Sequence, residues 1–113
     1  MGGTTDGPGA AGERWLGAGR GFAIEVDGTR CVVTRGELDL AAVTELRVAL
    51  QDAIQDGRVV VDLELATFMD SSVAEVLLDL VADGTIPVLR APNPVVARVL
   101  HLLDLGSYVL PTT

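Results

Sequence analysis

The run Arg58-Val59-Val60-Val61-Asp62-Leu63 constrains the fold of this chain more than any other stretch. Consecutive valines are stiff at χ1 and favour extended backbone. A short, nearly unbroken apolar run is what a central strand covered on both faces looks like. Such a strand needs partners beside it and layers over it, and the flanking sequence offers both. Upstream, Leu46, Ala49, Leu50, Ala53 and Ile54 recur at three- and four-residue spacing, which makes one apolar face of a helix expected from about Leu40 to Gln55. Asp39 stands where its N-cap belongs, and Gly57 where a left-handed terminating residue belongs. Downstream, Val73, Val76, Leu77, Leu80 and Val81 form the buried stripe of a helix expected from Ser71 to Ala82, with Glu75 and Asp79 turned to water.

The remaining segments extend the pattern. Phe22–Val26 and Arg30–Arg35 read as strands about an Asp27-Gly28 hairpin signal. Ile86–Leu89 reads as a short strand, and Pro87, which lacks a backbone donor, points to an edge. Asn93 caps a third helix with Pro94 in its first turn, running to about Leu103, and Tyr108–Leu110 reads as a last short strand. Strands joined through helices lie parallel with right-handed crossovers. The expected product is a single α/β domain over residues 20–113. Its mixed sheet has four to five strands, with helices mainly on one face. Residues 1–19, rich in Gly and Ala and without an apolar period, are expected to form a flexible leader, in which Trp15-Leu16 is the one pair able to pack on the domain.

Charge narrows the function. Sixteen acids against eight bases give −8, which disfavours nucleic acid and anionic membrane surfaces and suits a basic protein partner. All eight bases are arginine, a composition expected of a GC-rich bacterial genome. The single cysteine, Cys31, forbids an internal disulfide and is expected to pack as a small hydrophobe. No apolar run approaches the roughly 18 residues of a membrane span, and no signal peptide is visible. A cytoplasmic location is expected. His101 is the only histidine and has no cysteine cluster to join, so no metal is expected. No Gly-rich phosphate loop follows a strand, and no nucleophile elbow surrounds a serine. Neither a cofactor nor an enzymatic activity is expected.

The junction Phe68-Met69-Asp70-Ser71-Ser72 admits two readings. In the first, Ser72 and Glu75 form a capping box, or Asp70 or Ser71 caps, and the hydroxyls are structural. In the second, Ser71 accepts a phosphoryl group. It begins a helix at the carboxyl end of a central strand, where open α/β sheets build their sites. Free N–H groups and the positive end of the helix dipole would receive the phosphate there. Asp70 would orient the hydroxyl or help a kinase place Mg²⁺. Asp39 leaves the second strand on the same sheet edge, as a plain N-cap, as a neighbour of Ser71, or as both.

Gly36-Glu37-Leu38-Asp39-Leu40, Val59-Val60-Val61-Asp62-Leu63 and Phe68-Met69-Asp70-Ser71-Ser72, in that order, resemble the bacterial anti-sigma factor antagonists of the STAS-domain family. Asn93–Leu100 followed by Leu103-Asp104-Leu105 is similar to the family's closing helix, so the resemblance spans about Phe22 to Leu110. It implies a protein that binds an anti-sigma factor of ATPase fold, itself a serine kinase, and thereby frees a sigma factor. It implies phosphorylation of the serine after the aspartate, Ser71 ahead of Ser72, which dissolves the complex until a phosphatase resets it. The partner-binding positions carried over are Asp39, Asp70, Ser71, Ser72 and Val73. Val73 departs from the family, which commonly has glycine there, and valine is expected to add bulk in the first helical turn. A scaffold or adaptor subunit of a signalling or transport complex, with the same fold and serines that only cap, is the alternative.

Overall fold

A computed structural model describes residues 21–90 and 93–111; the expected leader, with Trp15 and Leu16, lies outside the described residues. Phe22–Val26 forms β1 and Cys31–Leu38 forms β2, antiparallel to it. Arg58–Met69 forms β3, parallel to β2, and Ile86–Arg90 forms β4, parallel to β3, so the sheet order is β1-β2-β3-β4. A 3₁₀ turn at Leu40–Ala42 leads into α1, Val43–Ala53. α2 is Ser71–Ala82 and α3 is Pro94–Leu102. Four strands in a mixed sheet with three helices is the architecture that the order of apolar patterns predicts.

Two adjacent ranks of side chains show which face the helices cover. Val32, Val61 and Leu89 lie side by side across β2, β3 and β4, and all are buried. The next rank, Glu25, Val33, Asp62 and Arg90, is half-buried or exposed. The register therefore separates a helix-covered face from a more open one, on which the small residues Ala23 and Cys31 are nonetheless buried. The apolar stripes of α1 (Leu46, Ala49, Leu50, Ala53), α2 (Val73, Val76, Leu77, Leu80) and α3 (Val96, Leu100) complete a single core with the covered face. Cys31 packs in the sheet as a small hydrophobe, and burial pushes its thiol pKa up.

Local structure departs from expectation at four points. The first helix does not begin as α at Leu40; Asp39 caps the 3₁₀ turn by accepting from the Ala41 N–H at 3.0 Å. Gly57 does not terminate α1. The helix ends at Ala53, and Asp56 and Gly57, both at positive φ, form the two central residues of a tight turn closed by reciprocal Gln55–Arg58 backbone bonds. The hairpin loop is longer than Asp27-Gly28. Arg30, not Gly28, takes the left-handed conformation, and the Asp27 carboxylate receives the Thr29 hydroxyl and the N–H groups of Thr29 and Cys31. The Tyr108–Leu110 segment is no strand. Gly106–Tyr108 is a 3₁₀ turn, and only Val109 bridges Leu89, with the Leu110 N–H donating to the Leu89 carbonyl at 2.8 Å.

β3 runs to Met69, as far as the break at Phe68-Met69-Asp70, because β2 stays paired with it. The pairing survives two irregularities. Val33 and Arg35 oppose Asp62 and Leu65, and Gly36 and Glu37 oppose Ala66 and Phe68, so β3 holds one extra residue at each place. β4 pairs only as far as Asp62. Beyond it, the Asn93 side-chain amide donates to the Ala66 carbonyl at 2.8 Å, while the Asn93 Oδ1 accepts from the Val96 N–H at 2.9 Å and caps α3 as predicted.

Candidate functional site

The strands β2 and β3 end side by side. Leu38 pairs with Met69, both buried, and the Asp70 N–H donates to the Leu38 carbonyl at 2.9 Å. Asp39 and Asp70 are thus the first residues beyond a shared, backbone-bonded edge. The chain turns into α1 after one and into α2 after the other. This is the juxtaposition expected of two parallel strands, and it places two carboxylates and Ser71 on one rim.

Gly36 fixes the approach to that rim. It sits at φ +82, and a Cβ there would run into the Gly21 carbonyl, which accepts from the Glu37 N–H at 2.7 Å. Only glycine combines that backbone angle with so close a pass. The Gly36-Glu37-Leu38-Asp39 stretch therefore has a structural reason for its first residue.

The serines are not equivalent. Asp70 is the N-cap residue of α2 in extended conformation, and Ser71 and Ser72 are the first two helical residues. The capping box expected from Ser72 and Glu75 is absent, because Ser72 lies inside the helix. Its hydroxyl instead donates to the Asp70 carboxylate at 2.6 Å. That hydroxyl is the leading cause holding the Asp70 carboxyl below the usual carboxylate range; the backbone N–H groups of Ser71 and Ser72 add to it without closing a full capping bond. The Asp70 carbonyl accepts from the N–H groups of Val73 and Ala74. Ser71 is exposed, and its hydroxyl makes no hydrogen bond among the described residues. Asp70 therefore orients Ser72, not Ser71 as the sequence reading allowed.

Val73 is a correction. The whole residue is buried in the core, so it adds no bulk to the rim and offers no exposed surface to a partner. Ala74 is buried as well, and Leu78 packs against the core, so neither extends an exposed patch. His101 is exposed over Gly106, and no metal-holding cluster occurs among the described residues. No helix among them is long and apolar enough to cross a membrane.

The family profile described as "Mlab, STAS domain" matches residues 22–111. The chain belongs to the STAS-domain family. Among curated proteins, none matches it. This STAS domain is similar to the anti-sigma factor antagonist SpoIIAA in its unphosphorylated form, with 31% identity over 81% of this chain and 88% of that one and a TM-score of 0.62. The phosphorylated form of the Bacillus cell fate determinant SpoIIAA is also 31% identical, with a TM-score of 0.55 over 81% and 91% of the two chains. An anti-sigma factor antagonist from Mycobacterium paratuberculosis, at 24% identity, shares the fold with a TM-score of 0.64 over 80% and 86%.

What sequence reasoning missed in this STAS domain is apolar. Leu65 and Phe68 are large and exposed beside the rim, as is Leu40 directly after Asp39. Strict alternation assigns Leu65 to the core with Leu63. Nothing in the sequence marks the extra residue that turns it out.

Proposed function

We propose that this chain is an anti-sigma factor antagonist whose binding is switched off by phosphorylation of Ser71. Unmodified, it engages an anti-sigma factor of ATPase fold and so releases a sigma factor. That partner, acting as a serine kinase, transfers the γ-phosphoryl group of ATP to the Ser71 oxygen. The hydroxyl proton is lost and ADP remains. A phosphatase restores the serine. Asp39, Asp70, Ser71 and Ser72 form the docking rim, and the buried Val73 anchors the start of α2 beneath them.

One observation carries this reading: Ser71 is the uncovered hydroxyl at the start of α2, while its neighbour Ser72 is held by Asp70. Phosphate on Ser71 adds about −1.5 to −2 charges. The N–H groups of Ser71 and Ser72 already face an ionised Asp70, so the free monomer shares its helix-end donors between two anions in water. In a closed interface the same charge is desolvated beside Asp39 and Asp70. A penalty of about 4 kcal/mol there weakens binding about a thousandfold.

The test is incubation with ATP and each candidate kinase of the source genome, read by intact mass. A gain of one phosphate that Ser71→Ala abolishes and Ser72→Ala retains supports the switch. A gain that survives Ser71→Ala moves the modification elsewhere, and no gain with any such kinase favours a constitutive scaffold.

A further inference from the structure

An uninterrupted strand sends residues three apart to opposite faces. Leu65 and Phe68 break that rule: both are exposed, at 52% and 42%, between the buried Leu63 and Met69. The cause is the paired irregularity of β3. The extra residue after Asp62 turns Leu65 out and Ala66 in, and the extra residue at Thr67 turns Met69 back in and leaves Phe68 out. Bulges re-aim side chains in this way next to functional sites. The result is an apolar pair on the open face, set about 7 Å apart by the strand rise between their β2 partners, Arg35 and Glu37. It ends three residues before Ser71.

The surroundings of this pair are acidic. Glu37 is paired with Phe68, Glu64 precedes Leu65, and Asp39 and Asp70 follow at the rim; Arg35, opposite Leu65, is the one base within residues 35–39 and 64–70. Two exposed side chains are too little for a stable dimer interface, and a chain of net charge −8 repels its own copy. An apolar centre with a carboxylate border fits a partner that presents an apolar residue flanked by arginine or lysine. Resting on the function proposed above, we infer that Leu65 and Phe68 are the apolar anchor by which this domain holds its anti-sigma kinase. The carboxylates then set orientation and on-rate, and the pair sets the off-rate.

The experiment measures affinity and dissociation rate of the full chain for the purified anti-sigma kinase of its genome. Leu65→Ser and Phe68→Ser are compared with Leu102→Ser, which alters a still more exposed leucine at the end of α3. Thermal melts check that each variant folds. The expected result is about a tenfold or greater loss of affinity, carried by faster dissociation, for the first two and no change for the third. If wild type binds and both rim variants bind as tightly, the anchor assignment is wrong and the proposed function stands. If wild type does not bind any such kinase, the proposed function fails and the assignment with it. Trp15 is the only tryptophan. A change in its emission on Phe68→Ser, without partner, would give the patch to the chain's own leader. Loss of self-association in either variant would give it to a second copy. Both outcomes overturn the inference.

Discussion

The Ser72 hydroxyl is bound to the Asp70 carboxylate at 2.6 Å, across one intervening residue. This contact divides the labour of two adjacent serines. One steadies the acid at the head of α2, and the other faces outward without a partner among the described residues.

Ser71→Asp is expected to lower affinity for the anti-sigma kinase and to leave the far-UV circular dichroism nearly unchanged. An acidic residue in the first helical turn suits the dipole, typically by 0.3–1 kcal/mol, so the fold tolerates it. Titration calorimetry reads the affinity. Binding as tight as wild type would mean that charge exclusion is not how phosphate acts.

Ser72→Ala is expected to raise the Asp70 pKa toward its ordinary value of 3.8, since the serine hydroxyl is the first cause of its depression. The sign follows from linkage. A carboxyl depressed in the folded state contributes stability above its unfolded pKa and loses it as pH falls through the folded value. Wild type is therefore expected to exceed the variant in stability at neutral pH, and the gap is expected to close in acid, as pH falls through the folded-state pKa of Asp70. Carboxyl-carbon NMR titration and denaturant melts at neutral and acid pH check both parts. An unmoved Asp70 titration would remove the contact from the account.

Val73→Gly is expected to destabilise the domain by roughly 3 kcal/mol, from lost burial of the side chain and the poor helix propensity of glycine. The valine faces the core, so Val73→Ala is expected to leave the rate of phosphoryl transfer to Ser71 unchanged. A faster reaction in the alanine variant would restore steric obstruction as the valine's effect. Urea denaturation and a timed kinase assay measure the two quantities.

Gly36→Ala is expected to cost at least about 2 kcal/mol, because positive φ is strained for alanine and the added carbon meets the Gly21 backbone. Gly28→Ala, with open space around it and no positive φ, is expected to stay within about 0.5 kcal/mol of wild type. Paired denaturation curves decide. Equal losses at both positions would mean that the close pass at Gly36 does not matter.

The sequence made the architecture legible where periodicity was long and clean. The limits of α2, the Asn93 cap and the stripe Val73, Val76, Leu77, Leu80 all follow from spacing and end chemistry. Turn details were less legible because several residues compete for one role. Asp56 shares positive φ with Gly57, and Arg30 takes the left-handed position that Gly28 advertises. The capping box at Ser72 failed for the same reason: Asp70, two residues earlier, occupies the cap. The shared edge of Asp39 and Asp70 was readable from topology alone. The outward turn of Leu65 was not, since an extra residue in a parallel pair leaves no mark in composition or period.

The two additional residues of β3 offset one another. Deleting either alone would reverse the inside–outside phase at Met69, prise a methionine from the core and swing the start of α2, with its serine, around the strand axis. Deleting both would leave the carboxyl edge as it stands. Over evolution, this strand can therefore change length only in even steps without dismantling the rim that follows it.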